Sequence, residues 1–159
     1  MLCHNRMVDL SPSGVAAVAL RNRRLVRAPI TLYQKGFGWI FGSRMLMLEH
    51  VGRSSRQPRF VVLEVAERPA PDRLIVASGF GPSSQWYQNL AAQPHCHIST
   101  GRLRRRPAHA RLLDTQESAT ALARYKAANP RGWRVLHDAI EKDGAQDPET
   151  IPLVEFQLA

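Results

Sequence analysis

MLMLEHV (45–51), GRSSRQPR (52–59) and FVVLEV (60–65) stand in direct succession in this chain of 159 residues. The outer two segments are short, apolar and rich in strand-forming residues, so each reads as a β-strand. The middle one contains Gly52, Pro58, three arginines and two serines, which makes it a loop. A strand, a short link and another strand imply antiparallel pairing. The flanking strands fix the ends of the loop. Its guanidinium groups therefore need little further ordering to converge on one anion. Gly52 permits close backbone approach, and serine hydroxyls with free N–H groups suit phosphate oxygens. A solvated hairpin tip is the plain alternative from the residues alone.

The pattern continues outward. Downstream, Pro69-Ala70-Pro71-Asp72 reads as a turn, Arg73–Ser78 as a third strand, and Gly79–Ser83 as a loop. A short helix capped by Ser83 or Ser84 runs to Ala92. His95–Thr100 and Arg104–Leu113 form a hairpin turning near Gly101. Thr115 caps a helix to about Ala128, a further helix covers Arg131–Lys142, and Ile151–Leu158 is the last strand. Upstream, Pro12–Arg27 reads as a helix capped by Ser11 or Ser13. Pro29 interrupts it, and a second helical or irregular segment carries Leu32, Tyr33, Phe37, Trp39, Ile40 and Phe41. Six strands with mostly short links predict a mainly β (α+β) fold, an antiparallel sheet curled into a barrel. No strand–helix–strand alternation and no GxGxxG support a Rossmann domain. The expected organisation is one structural unit: an N-terminal helical segment, 1–44, packing on a split β-barrel cofactor domain, 45–159.

Lys35 and Arg44 break the most hydrophobic region, and Asp9 with the arginines from Arg21 does not compose a secretory leader. Two cysteines, Cys3 and Cys96, are too few for a disulfide framework, so the cytoplasm is the default expectation. Net charge is +9, with 22 basic residues of which three are lysine. Ten basic and two acidic residues lie up to Arg59, and five arginines without an acid lie between Gly101 and Arg111. Charge so concentrated points to an anionic partner: phosphate, nucleic acid or an acidic membrane surface. The basic and aromatic stretch from Arg21 to Phe41 suits either peripheral contact with the inner membrane face or a cover over the cofactor pocket; the cover is preferred. Nucleic acid is disfavoured, because no aromatics interleave with Arg102, Arg104, Arg105 and Arg106 as stacking platforms. In His95-Cys96-His97 the two imidazoles share a strand face while the thiol points away, so no metal site is expected. No catalytic triad or acid–base pair is legible, which fits chemistry carried by a cofactor. Exposed barrel edges make a homodimer reasonable.

From about Met45 onward the chain resembles the deazaflavin (coenzyme F420)-dependent nitroreductase family. Gly52, Arg53, Ser55 and Arg59 match its Gly-Arg-x-Ser-Gly-x-x-Arg loop; Ala77-Ser78, Trp86 and Asn89 match its next motif, and Ile151–Glu155 its final strand. The resemblance implies a six-stranded split β-barrel of the FMN-binding type. It further implies a cofactor site made of Arg53, Ser54, Ser55, Arg56, Gln57, Pro58, Arg59, Ala77, Ser78, Gly79, Trp86 and Asn89. The chain departs from the family pattern at Ser54, often basic, at Arg56, usually glycine, and at Gly79, lysine in some members. Losing that glycine would strain the turn. The implied activity is hydride transfer between reduced F420 and an electron-poor small molecule, of the quinone, nitroaromatic or activated-enone class. Ser78 and Tyr125 are the candidates for hydrogen bonding or proton donation near the reacting ring, and Tyr125 and Trp133 for stacking on substrate. The competing readings are an FMN-binding split-barrel oxidoreductase and a non-catalytic basic binder of nucleic acid or membrane.

Overall fold

The computed structural model describes residues 27–144 and 146–159. The expected helix Pro12–Arg27 and the Arg21–Arg27 cluster lie outside them, apart from the last backbone position. Six strands close into an antiparallel barrel in the order β1-β2-β3-β6-β5-β4. They are β1 (Met45–Val51), β2 (Pro58–Ala70), β3 (Arg73–Ala77), β4 (His95–Thr100), β5 (Leu103–Leu112) and β6 (Leu153–Leu158). Four α-helices accompany them among the described residues: α1 (Arg27–Gln34), α2 (Gln85–Ala92), α3 (Thr115–Ala128) and α4 (Pro130–Asp143).

Strand alternation builds the interior. Leu46 and Leu48 of β1, Leu74 and Val76 of β3, Ile98 of β4, and Val154 and Phe156 of β6 are fully buried and form one cluster. Alternate residues on a strand share a face, so each strand delivers its apolar set inward. Burying side chains of this size contributes about 1.5–3 kcal/mol each. Helix α2 closes one end of the barrel by adding Leu90, with Trp86 and Tyr87 packed beside it. On the outside, Ile75 and Leu153 meet Ala121, Leu122 and Tyr125 of α3 and Ile140 of α4.

Three local expectations change. Strand β2 runs past Val65 through Pro69 to Ala70; register shifts against β3 at Glu67 absorb the irregularity, and the turn shrinks to Pro71 and Asp72. The cap of α3 is Asp114, not Thr115. Its carboxylate accepts from the Glu117 N–H at 2.8 Å while Glu117 accepts from the Asp114 N–H at 3.0 Å, a reciprocal capping box. Pro29 lies within α1, in its first described turn, where a missing N–H is tolerated. Among the described residues every strand has a neighbour on both sides, so the exposed barrel edges expected for a homodimer contact are not present. Among the described residues, no helix is long and apolar enough to cross a membrane.

Candidate functional site

The inward rhythm of β1, Leu46 then Leu48, brings His50 to the same face at the strand's end, where it is buried. Desolvation, helped by the neighbouring Arg59 charge, pushes the His50 pKa down to about 4, so the imidazole is neutral at pH 7. Above it stands Asn89 of α2, also buried, whose Nδ2 lies 3.2 Å from His50 Nδ1. The other end of that amide is occupied. Asn89 Oδ1 accepts from the Arg53 N–H at 3.1 Å and from Arg53 Nη1 at 2.9 Å. With the oxygen so engaged, the amide nitrogen faces His50, which places the imidazole proton on Nε2. Gln85, one helical turn before Asn89, receives a second bond from Arg53 Nη1 at 3.0 Å. The loop arginine is thereby fastened to the helix that plugs the barrel.

The loop itself is a tight reversal. The Gly52 N–H donates to the Gln57 carbonyl and the Arg56 N–H to the Gly52 carbonyl, both at 2.9 Å. A Cβ at Gly52 would fall 2.4 Å from Ser55 Oγ, so a larger residue would displace that hydroxyl. Arg56 adopts φ 59, the left-handed conformation that glycine takes without penalty. The strain foreseen from the loss of glycine at this position is therefore present.

Between loop and helix lies a cleft of about 510 Å³, within the range of small-ligand pockets. Arg53, Ser54, Ser55 and Arg59 line one side, and Gln85, Trp86 and Asn89 the other, with Phe60 and Val61 supplying apolar wall. No acidic residue is among them. Arg53 keeps Nε and Nη2 free of any partner among the described residues, and Arg59 has no acidic partner there. Two guanidinium groups, two hydroxyls and no carboxylate fit a phosphate-bearing group.

The other expected residues sit elsewhere. Gln57 and Pro58 continue into β2 in exposed positions away from the cleft lining. Ala77, Ser78 and Gly79 lie at the exit of β3 beneath α4. Ser78 is buried; its hydroxyl donates to the Gly81 carbonyl at 2.7 Å and lies 3.1 Å from Ser84 Oγ. A side chain at Gly79 would meet Leu136 of α4 at 3.3 Å. Tyr125 is buried between α3 and the barrel, with its hydroxyl 3.4 Å from Glu64 Oε2. Burial raises the pKa of both groups, with Arg44 opposing it at Glu64. Trp133 is half-buried under Lys126, whose Nζ stands 4.3 Å from the ring centroid. His50, Gln85, Phe60 and Val61 were not foreseen. A polar residue on the core face of β1, and a Gln85–Asn89 pair spaced four apart on one helix, were the available signals.

The closed antiparallel barrel, with a cationic cleft at its mouth, defines a split-barrel fold of the flavin-reductase-like type. The family model described as F420H(2)-dependent quinone reductase matches residues 26–140, and the chain belongs to that family. It is thus an F420-dependent reductase, with coenzyme F420 as its cofactor. No curated protein matches the chain. A solved structure described as a domain-swapped dimer is similar with a TM-score of 0.53 at 18% identity, covering 82% of this chain and 95% of its own. An F420-H2 dependent reductase, FDR-A, shares 20% identity over 72% of this chain and 94% of its own, with a TM-score of 0.44. General Stress Protein 26 from Bacillus anthracis shares 16% over 80% and 88%, with a TM-score of 0.49.

Proposed function

We propose that Arg53 and Arg59 hold the phosphate of F420, and that the enzyme reduces an electron-poor small molecule of the quinone, nitroaromatic or activated-enone class. The observation that carries this reading is the pairing of Arg53 with Asn89 and Gln85, which aims a guanidinium into a cleft without carboxylates. Reduced F420 supplies a hydride when bound. The chain's part is to bind and orient. Asn89 holds Arg53 in place before the anion arrives, which lowers the ordering cost of binding. Ser54 and Ser55 offer hydroxyl donors, and neutral His50 fixes the Asn89 amide.

In this reading Ser78 and Tyr125 act as positioning residues near the reacting ring: Ser78 shapes the backbone at the end of β3, and Tyr125 braces α3 against Glu64. The α3–α4 side bearing Trp133 is the proposed approach for substrate. A homodimer in the cytoplasm completes the proposal, supported by the domain-swapped dimer described for one similar structure.

Fluorescence titration with F420 and FMN, repeated on Arg53→Ala and Arg59→Ala, tests the site. F420 should bind more tightly than FMN, and each variant should lose about 1–3 kcal/mol, as for hydrogen bonds to charged groups. Unchanged affinity in both variants would remove the loop from the cofactor site.

A further inference from the structure

A second cavity, of about 450 Å³, opens at the other end of β1, where α1, the turn Gly38–Phe41 and the β4–β5 hairpin meet. Its walls are fastened together. The Gly101 N–H of the hairpin donates to the Gly42 carbonyl at 3.0 Å, and both glycines take positive φ, 55 and 59. Tyr33 lies against it, 5% exposed, stacked on Phe41 and resting on Gly38, where any Cβ would collide with its ring. Its hydroxyl is buried and has no hydrogen-bond partner among the described residues. A hydroxyl buried in this way carries a desolvation cost in the fold.

The hairpin's arginines divide into two pairs. Arg105 is committed to Glu49 by two bonds of 2.9 Å, and Arg106 donates to the Ala159 carbonyl. Arg102 and Arg104 instead line the cavity and have no acidic partner among the described residues. Arg104 lies flat over Gly36, its guanidinium 3.0–3.3 Å from where a Cβ would stand. Trp39, 61% exposed, forms the rim. Among the described residues no acidic side chain contributes to the lining.

We propose that this cavity is a second ligand site, built for a flat aromatic carboxylate. The acid pairs with Arg102 and Arg104, and the ring lies on the Trp39 indole. The site is separate from the cofactor cleft, with which it shares no lining residue. Ser99 of its wall pairs with Met47, and Gly52 lies five residues further along β1, roughly 16 Å away on an extended strand. A volume of this size suits a small molecule.

Calorimetric titration of the F420-loaded protein with 2-naphthoate tests the assignment. One saturable site is expected. Arg102→Gln with Arg104→Gln should weaken it at least about tenfold. The neutral 2-naphthamide should bind about tenfold more weakly than the carboxylate. Tyr33→Phe should melt no lower than the parent, since the hydroxyl it removes has no hydrogen-bond partner among the described residues. F420 affinity should be unchanged in every variant. Absence of saturable binding, equal binding by the double arginine variant, or displacement of naphthoate by F420 would each overturn the assignment.

Discussion

Arg56 in the β1–β2 loop and Arg105 in the β4–β5 hairpin both adopt left-handed backbone, at φ 59 and 48, yet they are held by opposite means. Arg105 is secured by what its own groups bond: Glu49 through the guanidinium, and Ser99 Oγ through the N–H at 2.9 Å. The side chain of Arg56 touches no partner among the described residues, and its conformation is imposed by the bond from its N–H to the Gly52 carbonyl. That loop is anchored one step removed, through Arg53, Asn89 and His50. Strained backbone persists where its surroundings over-determine it. At the hairpin a surface ion pair does this; at the cleft a buried polar network does.

The largest expected effect sharpens that distinction by titrating the buried end. Burial holds the His50 pKa at about 4, below the 6.5 of an ordinary imidazole. Between those values the unfolded chain binds more protons than the folded one. The contribution of His50 to stability should therefore be complete above about pH 6.5 and be lost as the pH drops toward 4, by on the order of 3 kcal/mol. Thermal melts across this window should show the loss, and His50→Gln should flatten it. A parent whose melting is level from pH 7 to pH 4 would detach the loop from any buried anchor.

Next comes Asn89→Ala, which strips the partner from His50, the Arg53 N–H and the Arg53 guanidinium at once. Stability should drop by about 2 kcal/mol, with weaker F420 binding in the same titration. The smallest effect compares the two turns directly. Arg56→Gly relieves left-handed strain and should raise stability by about 0.5–1 kcal/mol, net of glycine's greater freedom when unfolded. Arg105→Gly should lower the melting temperature instead, because it leaves Glu49 without its guanidinium. Shifts of the same sign in both variants would erase the contrast.

The barrel was legible because its links are short and its strands alternate; β1 and β4 have the expected limits, Met45–Val51 and His95–Thr100. What was misjudged depends on competition between neighbours. Asp114 outbids Thr115 as a cap because Glu117 can answer it reciprocally, and β2 outruns its apolar core because bulges accommodate Pro69. The cleft was legible in part. Arg53, Ser54, Ser55, Arg59, Trp86 and Asn89 stand in motif order and converge on one cavity. His50 and Gln85 were not, since their roles arise only when α2 closes over the end of β1. The hairpin arginines form one run in the sequence, and only their hydrogen bonds in the fold show that Arg105 and Arg106 are spoken for.

The peptide N–H of Arg53 closes onto the side chain of a helix that corks the barrel. A loop at a protein surface ordinarily trades its amide hydrogens freely with solvent. This one can do so at Arg53 only when the cork lifts, so deuterium uptake there should keep time with the opening of the interior rather than with the flicker of the surface.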